Sequence, residues 1–151
     1  MDDVQAAKAP WHLWVVGVVA LLWNCIGPYD YVMTRMRDTD YLGTMMPTVD
    51  PNAYLAWIDG FPIYAQFGWG LGVWMGLLGS ILLLLRHRWA VPVYALSLLG
   101  ALLGLGYQIL AAPPLEGAVG FMFEGMPYVI IVVAAALLYY AQRQRKAGVL
   151  R

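Results

Sequence analysis

The chain has 151 residues, of which 62% are hydrophobic and only 12% charged, whereas a soluble domain is about half apolar and about a quarter charged. A chain this short cannot hide such a surplus in one core, so the excess apolar surface must face lipid. Nine basic and nine acidic residues cancel, which leaves no net pull toward nucleic acid, and the lone cysteine, Cys25, excludes an internal disulfide.

Residues Met1 to Pro10 carry Asp2, Asp3 and Lys8, not the basic start of a secretory signal. Trp23 and Asn24 are too bulky to precede a lipoprotein cleavage at Cys25. The first apolar run is therefore expected to be retained. A helix needs about 20 mostly apolar residues to cross ~30 Å of hydrocarbon. The first stretch that qualifies is 11–33, interrupted toward its far end by Gly27, Pro28 and Asp30. Proline removes a backbone donor, so a kink or helix end is expected near Pro28. In the following connection, about 34–61, Asp50 and Pro51 form an N-cap and first-turn pair. Tyr54, Trp57 and Ile58 then recur at helical spacing until Gly60 and Pro62. The pattern predicts a short amphipathic helix resting on the outer membrane surface.

The second and third spans, 62–85 and 89–111, are separated only by Arg86, His87 and Arg88. So tight a turn makes them antiparallel neighbours. The fourth span is expected over 120–142. The fold class is thus all-α: one domain over 1–151, with four transmembrane helices and a short outer helix. There is no internal repeat and no low-complexity stretch.

Four spans put the N-terminus, the 86–88 turn and the C-terminal tail on one side. That side holds Lys8, Arg86, Arg88, Arg143, Arg145, Lys146 and Arg151 against Asp2 and Asp3, or 7 − 2 = +5. The other side holds Arg35 and Arg37 against Asp30, Asp38, Asp40, Asp50, Asp59, Glu116 and Glu124, or 2 − 7 = −5. Basic residues favour the cytoplasmic face, which assigns both termini to the cytoplasm of a multi-pass protein. Trp11, Trp14, Trp69 and Trp89 fall near span ends, where interfacial anchors sit.

Helix association in lipid relies on close packing of small residues. The second span offers Gly68, Gly72, Gly76 and Ser80, and the third Tyr94, Ser97, Ala101, Gly104 and Gln108, each set along one helix face. The two stripes either pack on each other within one bundle or form a homodimer or docking surface.

Polar groups inside spans are costly and mark functional candidates. Asn24, Asp30, Tyr31, Gln66, Gln108 and Glu124 come from four different spans, with Tyr107 beside them. All but Asn24 fall within roughly 10 Å of the outer surface at a helical rise of about 1.5 Å per residue. They either line a ligand-binding pocket open to the outside or are helix-end groups satisfied by one another, by water and by headgroups.

Several chemistries fit poorly. Haem between helices needs histidine at membrane depth, whereas His12 and His87 lie at the cytoplasmic surface. Quinone-linked disulfide exchange needs more than one cysteine, and small multidrug exporters carry an acid at the bilayer centre, where this chain has at most Asn24. The histidines lie on the side away from the acids, so no Ser-His-Asp set can form. Met33, Met36, Met45, Met46, Met122 and Met126 gather toward the outside; thioethers suit Cu(I), but methionine is also an ordinary packing residue. No metal or cofactor is assigned, and catalysis is disfavoured.

The run Leu22-Trp23-Asn24-Cys25-Ile26-Gly27-Pro28-Tyr29-Asp30-Tyr31-Val32-Met33-Thr34 has the form of a first-helix signature. With it go Gly72-Val73-Trp74, Gly76 and Gly79-Ser80 within Trp69 through Leu85, then Arg88-Trp89-Ala90-Val91-Pro92 with Leu96-Ser97-Leu98-Leu99, and the tail Ala147-Gly148-Val149-Leu150-Arg151. Together, over nearly the whole chain, they resemble a family of small four-helix bacterial inner-membrane proteins often automatically labelled "sugar transporter". The resemblance implies a bacterial inner-membrane location but supplies no mechanism or catalytic residue. Alternating access usually rocks two repeats around a midplane site, which four helices without a repeat can do only as an oligomer. The expected function is binding or transport of a small molecule or lipid. The alternative is a non-catalytic accessory or structural subunit of a larger membrane complex.

The charge partition yields a direct test. In a Cys25-free background, His87→Cys should be protected from an impermeant thiol reagent in intact cells, while Asn52→Cys is labelled. Labelling of the first and not the second overturns the orientation.

Overall fold

Seven helices and no strand occupy residues 8–151, the part of the chain that the computed structural model describes. Asp2 and Asp3 of the charge partition lie outside the described residues. Four of the helices, α1 (Trp11–Arg35), α4 (Ile63–Leu84), α5 (Ala90–Leu110) and α7 (Met126–Lys146), are long and apolar enough to cross a membrane.

The helix α1 does not end at Pro28 but continues to Arg35. Proline brings no amide hydrogen, so the Asn24 carbonyl four residues earlier loses its usual donor while the flanking turns carry the helix through. The true stop is Arg37, whose φ of 59° places it in the left-handed region. The Arg37 amide donates to the Thr34 carbonyl and the Asp38 amide to Met33, the paired closure that satisfies terminal carbonyls. Asp38 then accepts from the Tyr41 amide at 2.9 Å and caps α2 (Thr39–Met45), a further helix within the 34–61 connection. The helix α3 (Pro51–Asp59) starts where expected, with Asp50 accepting from the Asn52 amide at 3.1 Å.

The fourth apolar stretch divides. A single short turn, α6 (Phe121–Glu124), is followed by Gly125, and α7 begins only at Met126, with Pro127 in its first turn. The expected span over 120–142 thus starts six residues late and extends to Lys146. Pro127 has no amide hydrogen to give, which suits a first turn and not an interior one. Arg143, Arg145 and Lys146 occupy the last turn, where positive charge complements the helix dipole.

The spanning helices form a row in which α4 lies between α1 and α5, and α5 lies between α4 and α7. Along α4 and α5 the two small-residue stripes meet. A Cβ on Gly68 would lie 2.9 Å from the Gly100 carbonyl oxygen and 3.0 Å from the Gly104 nitrogen. One on Gly72 would lie 3.0 Å from the Ala101 nitrogen, and one on Gly104 would lie 2.9 Å from the Trp69 nitrogen. These are backbone-to-backbone approaches that side chains would forbid. Ser97 donates to the Gly72 carbonyl at 2.8 Å across the same seam.

The end of the row that carries the termini is closed. Leu13, Leu83, Ala90, Tyr94 and Ala141 pack with Val149 and Leu150 of the C-terminal tail. Gly148, at φ 70°, turns the chain back so that the Arg151 amide reaches the Arg86 carbonyl at 2.8 Å. At this end His12 Nδ1 and the Tyr140 hydroxyl, 2.6 Å apart, join α1 to α7.

Gly68→Leu or Gly104→Leu should therefore lower stability in detergent by about 1–3 kcal/mol, the usual cost of overpacking. A Cβ at Gly106 has nothing within 4 Å, so Gly106→Ala should be neutral or stabilising by up to about 1 kcal/mol. Thermal denaturation of the three variants decides it; equal losses would mean that the α4–α5 seam is not tightly packed.

Candidate functional site

Toward the opposite end a space opens between α1 and α7, outer members of the row that no extended contact joins. The space between the four spanning helices is a cavity of about 340 Å³, within the range of small-ligand pockets. Its walls come from all seven helices. Trp23, Asn24 and Gly27 stand on α1, Val73 on α4, Leu105 on α5 and Ile130 and Ala134 on α7.

The loops roof it. The apolar face of α3 turns Tyr54, Trp57 and Ile58 into the cavity, while Ile58 packs with Phe61 and Ala65. An amphipathic pattern records only that one face is dry, and here protein covers that face. Tyr41 and Met45 from α2, Met46 just after it, and Met122 and Phe123 from α6 complete the roof.

Of the sequence-selected polar residues, Asn24, Asp30 and Gln108 line this cavity. Tyr31 and Gln66 line a separate shallow groove between α1 and α4. There the Arg35 guanidinium lies 5.3 Å from the Tyr31 ring centre and 5.4 Å from that of Trp69, and donates to Gln66 Oε1 at 3.3 Å. Trp69 packs edge-on against Tyr31, with ring centres 4.9 Å apart, and is half-buried, whereas Trp11, Trp14 and Trp89 are exposed. Glu124 is exposed on α6 and lines neither space. Among the packing residues, Gly72, Ser97 and Gly104 reach the cavity wall, whereas Gly68 and Gly76 lie buried in helix contacts.

Two polar constellations stand out. At the deep end the Asn24 amide donates to Ser80 Oγ at 3.0 Å, and Ser80 shares a 3.0 Å hydrogen bond with the Tyr94 hydroxyl while donating to the Gly76 carbonyl. This chain of hydrogen bonds ties α1, α4 and α5 together. A Cβ on Gly76 would meet Asn24 Oδ1 at 2.6 Å, so the glycine is what lets the amide approach.

Nearer the loops, roughly 9 Å along α1 from Asn24 at the helical rise, the Tyr41 hydroxyl donates to Asp30 Oδ1 at 3.0 Å. The second Asp30 oxygen has no hydrogen-bond partner among the described residues, and no cation there pairs with it. The nearby arginines are engaged elsewhere: Arg35 over its rings, and Arg37 in a solvent-exposed pair with Asp59 at 3.1 Å. Burial pushes the hydroxyls of Tyr41 and Tyr54 well above the ordinary tyrosine range, and the Asp30 charge adds to the shift in both. Both therefore keep their protons and remain donors. Among the described residues no three His, Cys, Asp or Glu side chains gather. Chemically, the site can enclose an apolar body and hydrogen-bond its polar end.

Sequence reasoning missed Tyr41 and Tyr54 as site residues. The Asp38 cap before Tyr41 and the apolar stripe of α3 were the available signals, but neither says which way a surface helix faces. Comparison with protein-family models, with curated proteins and with solved structures finds no match to this chain.

Ser80→Ala removes an acceptor from Asn24 and a partner from Tyr94 together, and should cost about 1–3 kcal/mol. Tyr94→Phe leaves the Asn24 and Gly76 bonds in place and should cost less. Denaturation of both variants tests the network; a larger loss for Tyr94→Phe would refute it.

Proposed function

We propose that this chain is a binding protein for a small amphipathic molecule, possessing its site within the membrane and not on a soluble face. The observation that carries the reading is the cavity of about 340 Å³ between the spanning helices, largely apolar in its walls and roofed by the loop helices. Pockets for small ligands have this makeup, an apolar lining with a few placed polar groups. The reading extends to a multi-pass protein of the bacterial inner membrane. Its basic end, with both termini, faces the cytoplasm, as the charge asymmetry favours. The site then opens toward the outer leaflet.

Transport would need the other end to open as well. The tail residues Val149 and Leu150 and the His12–Tyr140 bond hold that end shut, so a transport cycle requires these contacts to break. Binding alone does not. No comparable observation favours the accessory-subunit reading, which would leave the cavity without a role.

The test is native mass spectrometry of protein released from membranes, comparing the unaltered chain with Ala134→Trp, a substitution that fills the cavity from α7. A retained small molecule that disappears in the variant, at equal thermal stability, supports the proposal. A chain released without ligand but with a stoichiometric protein partner supports the subunit reading and ends this one.

A further inference from the structure

The Asp30 carboxylate stands in a spanning helix at the cavity wall with one oxygen unpartnered and no cation paired to it among the described residues. Such a group is costly in a membrane protein and marks a functional site by default. Its surroundings are aromatic. Tyr41 holds it directly, and Tyr54 and Trp57 line the same cavity with ring centres 5.9 Å apart. Trp57 in turn meets the Phe61 ring edge-on at 4.7 Å. A carboxylate that shares a cavity with several aromatic rings is a combination that recognises ammonium groups, because ring faces and the anion both attract a weakly hydrated cation. The field agrees: this end of the molecule carries seven acidic residues against Arg35 and Arg37, so it concentrates cations and repels anions.

Resting on the ligand-binding reading, the geometry points to an alkylammonium amphiphile as the occupant: its head sits between Asp30 and the rings of Tyr41, Tyr54 and Trp57, and its chain runs toward Trp23 and Ile130. The chain reaches the cavity sideways from the bilayer, where α1 and α7 stand apart. Among the described residues lining the cavity, Asp30 is the only acidic or basic one, so the charged head is held at that end and not at the floor near Asn24.

The experiment uses the full chain in lipid nanodiscs. Binding of dodecyltrimethylammonium, dodecanol and lysophosphatidylcholine is read by native mass spectrometry, with Ala134→Trp as the control for partition into lipid. The unaltered chain should bind dodecyltrimethylammonium about tenfold tighter than dodecanol, given the greater strength of charged over neutral contacts. Asp30→Asn should abolish that preference while dodecanol binding persists, and Trp57→Leu should weaken the cation more than the alcohol. Lysophosphatidylcholine binding weaker than the simple cation identifies a free organic cation as the source; equal or tighter binding identifies a lipid headgroup, and either result keeps the ammonium assignment. A preference unchanged in Asp30→Asn overturns the assignment but leaves the binding reading intact. If no probe binds above the Ala134→Trp control, the binding reading itself fails.

Discussion

The approach of α4 to α5 is the contact on which the rest of the molecule depends. Gly68, Gly72, Gly100 and Gly104 let the two backbones come together so closely that no side chain fits between them. In lipid there is no hydrophobic gain from pairing apolar helices, so attraction comes from dense packing and from hydrogen bonds such as Ser97 to the Gly72 carbonyl. Because this seam is narrow, α1 and α7 are carried on its two outer sides instead of being drawn into a closed ring. The cavity is the space that this arrangement leaves between them.

The two ends of that space differ for a physical reason. At the end with the termini, the tail supplies apolar side chains, Val149 and Leu150, that fill the gap, and Gly148 makes the reversal that brings them there. At the other end no comparable plug stands among the described residues, and short helices lie across the opening with tyrosine, tryptophan and methionine lining the cavity. Polar groups then sort by depth. Asn24 donates to Ser80, which shares a hydrogen bond with Tyr94, and so acts as a tie between helices, while Asp30 accepts from Tyr41 through one oxygen and leaves the other without a hydrogen bond among the described residues. The same residue class thus joins helices in one place and lines an open cavity in another.

Ring contacts link the roof to the helices. Phe61 meets Tyr107 at 4.9 Å and Trp57 at 4.7 Å, so α3 is braced against α4 and α5. Aromatic pairs of this geometry add about 0.5–1.5 kcal/mol beyond their burial. The Arg37–Asp59 pair at the rim is exposed on both sides and adds little, about 0–1 kcal/mol. The roof is therefore held by its apolar side, the same side that faces the cavity.

The sequence by itself determined the number of spanning helices, the antiparallel pairing across Arg86–Arg88, the stripe from Gly68 to Ser80 and the start of α3 at Asp50 and Pro51. Each is a local property: the length of an apolar run, a spacing along one helix, a cap within three residues. Only the tertiary structure decided that α1 runs through Pro28, because the cost of one missing donor depends on what surrounds the turn. It also decided that the apolar stripe of α3 packs on protein, since such a stripe is the same whichever dry surface covers it. Finally, it separated the polar residues that looked alike by depth: Asn24, Asp30 and Gln108 reach one cavity, Tyr31 and Gln66 reach another groove, and Glu124 reaches neither. Depth along a span can be read from residue count, but the direction in which a helix turns its side chain is set by its neighbours.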